Sequence, residues 1–167
     1  KTIVSLLAAF NTIISGFQVA VMAPTEILAR QHYNLAKKIF PKNLNIELIS
    51  GKSEYKTKKN ILNKLKNQDI DIIFGTHAIF QKKVTYNNLG LIIIDEQHKF
   101  GVNQRKKLSD KGGHNCDVLL MTATPIPRTL TMTMYGDMDL SIIAEKPKLR
   151  KPIKTYSKLE NKIDDII

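Results

Sequence analysis

A chain of 167 residues has room for one domain of ordinary size and none for a second full one. With 43% apolar and 25% charged residues it can fill a packed core, which excludes a disordered segment. The 26 Lys and Arg against 15 Asp and Glu leave a formal charge of +11, which favours an anionic partner; yet 22 of those bases are Lys, and Lys, Ile and Asn fill 56 positions, so compositional drift explains the excess equally well. Cys116 is the single cysteine, which rules out an internal disulfide and a multi-cysteine metal site and fits a reducing cytoplasmic setting.

The first segment, from Lys1-Thr2 through the apolar Ile3 to Phe10, imitates a secretory signal. Asn11, Thr12, Ser15 and Gln18 interrupt it, and no run reaches the ~18–20 apolar residues that span a bilayer, so no membrane association is expected. It reads instead as a helix over Thr2–Ser15 closed by Gly16. The chain lacks an initial Met, so a start upstream of residue 1 is expected.

Short apolar runs then recur at Gln18–Ala23, Ile46–Ile49, Ile70–Phe74, Leu89–Ile94, Val118–Met121 and, more weakly, Leu140–Ala144. Several are continuous in Ile, Val and Leu, the pattern of strands buried on both faces of a parallel sheet. Amphipathic stretches at Glu26–Ile39, Lys56–Lys66, Gln104–Ser109 and Pro127–Met134 predict helices between and after them. This alternation predicts an α/β domain whose functional loops follow the carboxyl ends of the strands. Residues 146–152, with two prolines and four basic residues, have the composition of an exposed linker.

The run Leu91-Ile92-Ile93-Ile94 ends in Asp95-Glu96-Gln97-His98. Two carboxylates where a buried strand emerges suit nucleotide hydrolysis, one holding Mg²⁺ and the other orienting or deprotonating water; a solvated acidic turn is the alternative. Leu119-Leu120-Met121 ends in Thr122-Ala123-Thr124 and then Pro125-Ile126-Pro127-Arg128. Its hydroxyls can bond the neighbouring acidic cluster or cap the next helix. After Met22-Ala23, Pro24 ends a strand and Thr25 can cap a helix that carries Gln31 and His32, with its first amides free for a phosphate. Gly75-Thr76-His77 follows another buried run, where a glycine and a hydroxyl let a nucleic-acid backbone approach. His32 and His114 read as surface or satisfied core histidines, and neither His77 nor His98 has metal-ligand spacing.

In this order, Ala23 to Ala29 with Gln31-His32, Gly75 to Ile79, Asp95 to Val102 with Gln104-Arg105, and Met121 to Leu130 resemble the first motor domain of superfamily 2 helicases, specifically those of RecG type. The transcription-repair coupling translocases share the Phe100-Gly101-Val102 and Pro125-to-Thr129 signatures but typically carry Glu and Gln where this chain has Gln97 and His98. The resemblance implies a RecA-like P-loop NTPase fold, three-layered around a mainly parallel sheet, over residues 1–145, with 146–167 as linker and start of a second motor domain. It implies ATP and Mg²⁺ as cofactors. Lys1 and Thr2 would be the last two residues of a P-loop, Lys1 on the phosphates and Thr2 with Asp95 on the metal. Glu96 would activate water, Gln97 and His98 would complete the catalytic box, and Thr122, Thr124 and Arg128 would couple hydrolysis to movement. Pro24, Thr25, Gln31, Gly51, Lys52, Gly75, Thr76 and His77 would face branched or forked DNA. Gly51-Lys52-Ser53 ends like a P-loop, but Ile46 stands where its first glycine belongs. A second motor domain and a wedge domain in the same polypeptide, and a monomeric state, are implied as well. The isolated chain is expected to be nearly inactive; a transcription-repair coupling translocase motor domain and a non-catalytic DNA-binding remnant are the rival readings.

Overall fold

The computed structural model describes residues 1–51, 55–81, 83–96, 116–124 and 139–145. The chain divides into two compact units, Lys1–Pro127 and Arg128–Ile167. The first contains helix α1 (Thr2–Ile14), strand β1 (Gln18–Met22), helix α2 (Glu26–Ile39), strand β2 (Ile46–Ile49), helix α3 (Tyr55–Lys66), strand β3 (Ile72–Gly75), a 3-10 turn (His77–Phe80) and strands β4 (Leu89–Ile94) and β5 (Asp117–Leu120). The described strands form one sheet in the order β2-β3-β1-β4-β5, with every pairing parallel.

Each element has a local cause. Helix α1 ends because Gly16 takes φ +86, a left-handed conformation that costs glycine little. The turn lets Gly16 N–H donate to Ile13 O at 2.9 Å and Phe17 N–H to Thr12 O at 3.2 Å, the paired bonds of a Schellman stop. Helix α2 starts at Thr25, whose hydroxyl accepts from Leu28 N–H at 3.3 Å, with Glu26 in the first turn and Lys37 and Lys38 in the last, all in the sense the helix dipole favours. Strands β1, β3 and β4 are buried along their whole length. Ile92, Ile93 and Ile94 are each fully inaccessible, and burial of one such side chain contributes about 2 kcal/mol.

Period-two alternation separates the core into two layers. Val19, Val21, Phe74, Leu91 and Ile93 pack with Leu6, Ala9 and Ile13 of α1 and Ala36 of α2. Ala20, Met22, Ile73, Ile92 and Ile94 pack with Ile61 and Leu65 of α3 and Ile79 of the 3-10 turn. The result is helices on both faces of a parallel sheet, the α/β architecture that the alternating sequence predicts. Gln18 is the polar exception, 1% exposed at the start of β1. Its amide donates to Leu65 O and Ile70 O at 3.0 and 2.9 Å and accepts from Asn87 and Asn88 N–H at 2.9 and 3.1 Å, so it ties the α3–β3 connection and the approach to β4 to the central strand.

The expected strand bounds shift by one or two residues at Gln18–Ala23, Ile70–Phe74 and Val118–Met121 and coincide at Ile46–Ile49 and Leu89–Ile94. The weak strand expected at Leu140–Ala144 is a correction: residues 139–145 are extended to solvent with no strand assignment, Ile142 being 77% exposed. A strand needs a neighbour for its backbone groups, and an apolar pattern alone supplies none. The helices expected at 104–109 and 127–134, and the basic stretch 146–152, lie outside the described residues.

Candidate nucleotide and nucleic-acid site

The parallel register brings the strand ends into line. Met22 stands opposite both Gly75 and Ile94, Ile49 opposite Gly75, and Ile94 opposite Leu120. Asp95 N–H continues the ladder to Met22 O at 2.9 Å, and Met121 N–H to Ile94 O at 2.8 Å. Consequently Gly51, Thr76, Pro24, Asp95 and Thr122 emerge along one edge in the strand order, across about 19 Å for four inter-strand steps. Candidates for nucleic acid fall on the β2, β3 and β1 side, and candidates for nucleotide chemistry on the β4 and β5 side.

Asp95 is 3% exposed. Two residues after Ile93, it lies on the sheet face that α1 and α2 cover, and both helices reach it. Lys1 Nζ, at the start of α1, donates to Asp95 Oδ1 at 2.9 Å and also to Glu96 Oε1. His32 Nε2, on α2, donates to Asp95 Oδ2 at 2.9 Å. The Glu96 N–H donates to Asp95 Oδ1 at 3.0 Å. Burial pushes the Asp95 carboxyl up, but the hydrogen bonds from His32 and Lys1 and the Lys1 charge outweigh it and hold the group down at about 2. Burial lowers the Lys1 amine, but its bonds to Glu96 and Asp95 override this and raise it. Both ends of the ion pair therefore stay charged at neutral pH.

Glu96 has φ +50, in the left-handed region that a residue with a side chain occupies at a cost of about 1 kcal/mol or more. That turn breaks the strand alternation immediately after Asp95, and it brings both carboxylates onto the single Lys1 ammonium. Thr2 is the first residue of α1, a 13-residue helix whose first amides have no intrahelical partner. Hard carboxylate oxygens, an ammonium, a hydroxyl and a helix N-terminus in one place suit a magnesium nucleotide. Among the described residues no group of three or more His, Cys, Asp or Glu could hold a metal by itself. Mg²⁺ typically takes one or two carboxylates and completes its shell with phosphate oxygens and water.

The remaining candidates resolve individually. Thr122 and Thr124 bond each other, Oγ1 to Oγ1 at 2.9 Å, with Thr124 N–H donating to Thr122 Oγ1 at 3.2 Å. The partners of Asp95 are Lys1, His32 and the Glu96 amide, so the expected bond from these hydroxyls to the acidic cluster is not made at Asp95. Thr25 caps α2, and Gln31 and His77 are exposed. Gly75 needs a correction to its reason: a Cβ there would lie 2.5 Å from Ile79 Cγ2 and 3.0 Å from Ile49 O, so internal packing already requires glycine without a nucleic acid. Gly51 is exposed, with a Cβ meeting nothing nearer than Glu26 Oε2 at 3.9 Å, and its carbonyl accepts from Lys58 Nζ at 3.1 Å. Ile46 is the first residue of β2 and is buried, so Gly51-Lys52-Ser53 follows a strand that has no phosphate loop before it. Lys52, Gln97, His98 and Arg128 lie outside the described residues. Burial, then the neighbouring Asp117, push the Cys116 thiol up to about 11, which leaves it without nucleophilic character at neutral pH. A groove of about 320 Å³ between the end of α2 and the start of β2, lined by Phe40, Lys42, Ile46 and Glu47 among others, lies at the opposite end of the sheet and takes no part in this cluster.

His32 is the site residue that the sequence reading passed over as a surface or core histidine. Its signal was its spacing: Ala29, His32 and Ala36 are the buried residues of α2, at i, i+3 and i+7. A histidine on the core stripe between two alanines must have a buried partner, and the sequence does not say which.

Parallel strand ends that carry an acidic pair beside a helix N-terminus define the class of α/β P-loop NTPase domains. The chain belongs to the DEAD/DEAH box helicase family, whose pattern matches residues 1–133. It is 52% identical over 155 residues to the ATP-dependent DNA helicase RecG of Streptococcus pneumoniae serotype 4, covering 93% of this chain and 23% of that protein. To RecG of Bacillus subtilis it is 47% identical over 168 residues, covering all of this chain and 24% of the relative. A solved structure of RecG bound to a three-way DNA junction superposes with TM-score 0.82 and 38% identity, covering 98% of this chain and 22% of that one. The resemblance to RecG-type helicases is thus borne out, and the chain spans about a quarter of the length of the curated relatives it matches.

Proposed function

We propose that this chain is the first motor domain of a RecG-type helicase, which uses ATP and Mg²⁺ to translocate on branched DNA and remodel forks or junctions in repair and recombination. The observation that carries the reading is the Lys1–Asp95–Glu96 cluster at the same sheet edge as Pro24-Thr25 and Gly75-Thr76. Lys1 and the free amides of α1 would receive the phosphates. Asp95 and Thr2 would hold Mg²⁺, which when bound neutralises phosphate charge and aligns the terminal phosphoryl group. Glu96, one residue beyond the metal ligand, would orient the attacking water and take its proton. Thr25, Thr76, His77 and Gly51, on the other half of the edge, would meet the DNA backbone, with Gln31 further along α2 and Lys52 after Gly51. Arg128, Thr122 and Thr124 would pass the nucleotide state to the rest of the motor. In this reading the second motor domain and the wedge belong to the same polypeptide, and the protein works as a cytoplasmic monomer.

The test uses the full-length protein that contains this chain. ATP hydrolysis stimulated by a three-way junction should fall by about 10²-fold or more in Glu96→Gln, as for loss of a general base, while binding of a non-hydrolysable ATP analogue stays within about threefold. Hydrolysis that survives Glu96→Gln would remove Glu96 from the chemistry and overturn the assignment.

A further inference from the structure

The carboxylate of Asp95 has two oxygens with separate supports. Oδ1 accepts from Lys1 Nζ and from the Glu96 amide, whereas among the described residues the bond to Oδ2 comes from His32. The Asp95 side chain is 5% exposed and that of His32 10%, so solvent is a poor substitute donor. The contact also joins elements remote in sequence, 63 residues apart. It is possible because α2 presents Ala29 and Ala36, 1% and 0% exposed, on either side of His32, and such small side chains let the helix lie close enough to the sheet for an imidazole to reach the strand end.

We propose that His32 is a positioning residue for the metal-binding carboxylate: its Nε2–H fixes Asp95 Oδ2 and so aims the group at Mg²⁺. This rests on the reading of Asp95 as the magnesium ligand. An acidic side chain has two rotatable bonds, and a metal that relies on one protein carboxylate depends on that carboxylate being held still. Partners that orient a ligand in this way are typically worth 10–100-fold in metal affinity. In this role His32 acts through Asp95.

Two amide substitutions separate orientation from packing, because both remove the ring and they differ in reach. In His32→Gln the amide nitrogen lies near the position of Nε2 and can still donate to Oδ2. In His32→Asn it lies near Nδ1 and falls short. The full-length protein is titrated with Mn²⁺ in the presence of a non-hydrolysable ATP analogue, and free Mn²⁺ is read by electron paramagnetic resonance. His32→Asn should weaken Mn²⁺ binding about tenfold or more and His32→Gln by less than about threefold. Binding of a fluorescent ATP analogue in EDTA should stay unchanged in both, which shows that both variants keep a folded nucleotide site. Equal Mn²⁺ affinities in Asn, Gln and wild type, or equal losses in both variants, would overturn the proposal and leave His32 a packing residue. Wild-type protein that binds no Mn²⁺ with the nucleotide would instead overturn the functional reading, and this inference with it.

Discussion

Asp95, the candidate metal ligand, also bears on stability. Its carboxyl is held at about 2 against an ordinary 3.8, a difference that corresponds to about 2 kcal/mol of native-state stabilisation at neutral pH. Between those two values the unfolded chain carries the proton and the native one does not, so stability rises with pH there and is lost as pH falls toward 2. Urea midpoints for this chain should therefore drop between about pH 5 and pH 2 by more than in Asp95→Asn, whose amide does not titrate. An equal drop in both would show that Asp95 does not carry this dependence. The Arg30–Glu26 and Lys64–Glu47 pairs, at 3.5 and 3.8 Å on the surface, are expected to add at most a few tenths of a kcal/mol each.

Among the elements, the turn from β3 into the 3-10 helix is a closely packed junction at the candidate DNA edge. Gly75 closes β3 against β2 and the 3-10 turn, with Ile79 and the Ile49 carbonyl filling the space a side chain would take. Since one of those neighbours is backbone in a parallel ladder, it cannot yield cheaply. Gly75→Ala should cost about 1–3 kcal/mol, seen as a lower urea midpoint, even with no DNA present. A variant as stable as the wild type that had lost DNA affinity would instead point to a direct backbone contact with nucleic acid. Helix α3 illustrates the opposite case. Ile61 and Leu65 are buried while Lys56, Lys59 and Lys66 are exposed, which is the solvated face its composition suggests.

For the whole molecule, the expectation concerns what one motor unit can do. Hydrolysis in this class needs a positive side chain on the transition state, often supplied from across a cleft. Among the described residues Arg30 is the sole arginine, and it pairs with Glu26 rather than facing Asp95. If the second motor domain of the proposed reading supplies that charge, purified residues 1–167 should hydrolyse ATP at least ~10³-fold more slowly than the full-length protein, with no stimulation by junction DNA. DNA-stimulated turnover by residues 1–167 that Glu96→Gln abolishes would refute this. DNA binding by the full-length protein should vary little with base sequence, because the candidate contacts are hydroxyls, amides and one lysine, Lys52, suited to phosphates.

Local pattern was enough for the elements. Continuous Ile runs announced buried parallel strands, Gly16 announced a helix stop, Thr25 a cap, and Asp95-Glu96 at the end of the most apolar run announced the acidic pair, because each depends on residues adjacent in the chain. What joins those elements was not legible. That Lys1 bridges Asp95 and Glu96, that Thr122 and Thr124 bond each other, that Gly75 is demanded by Ile79, and that His32 supports Asp95 all depend on which strands become neighbours and how near each helix lies to the sheet. Strand order and helix approach are set by packing over the whole core. A sequence can therefore name the candidate acid for a metal, while only the folded chain shows what holds that acid in place.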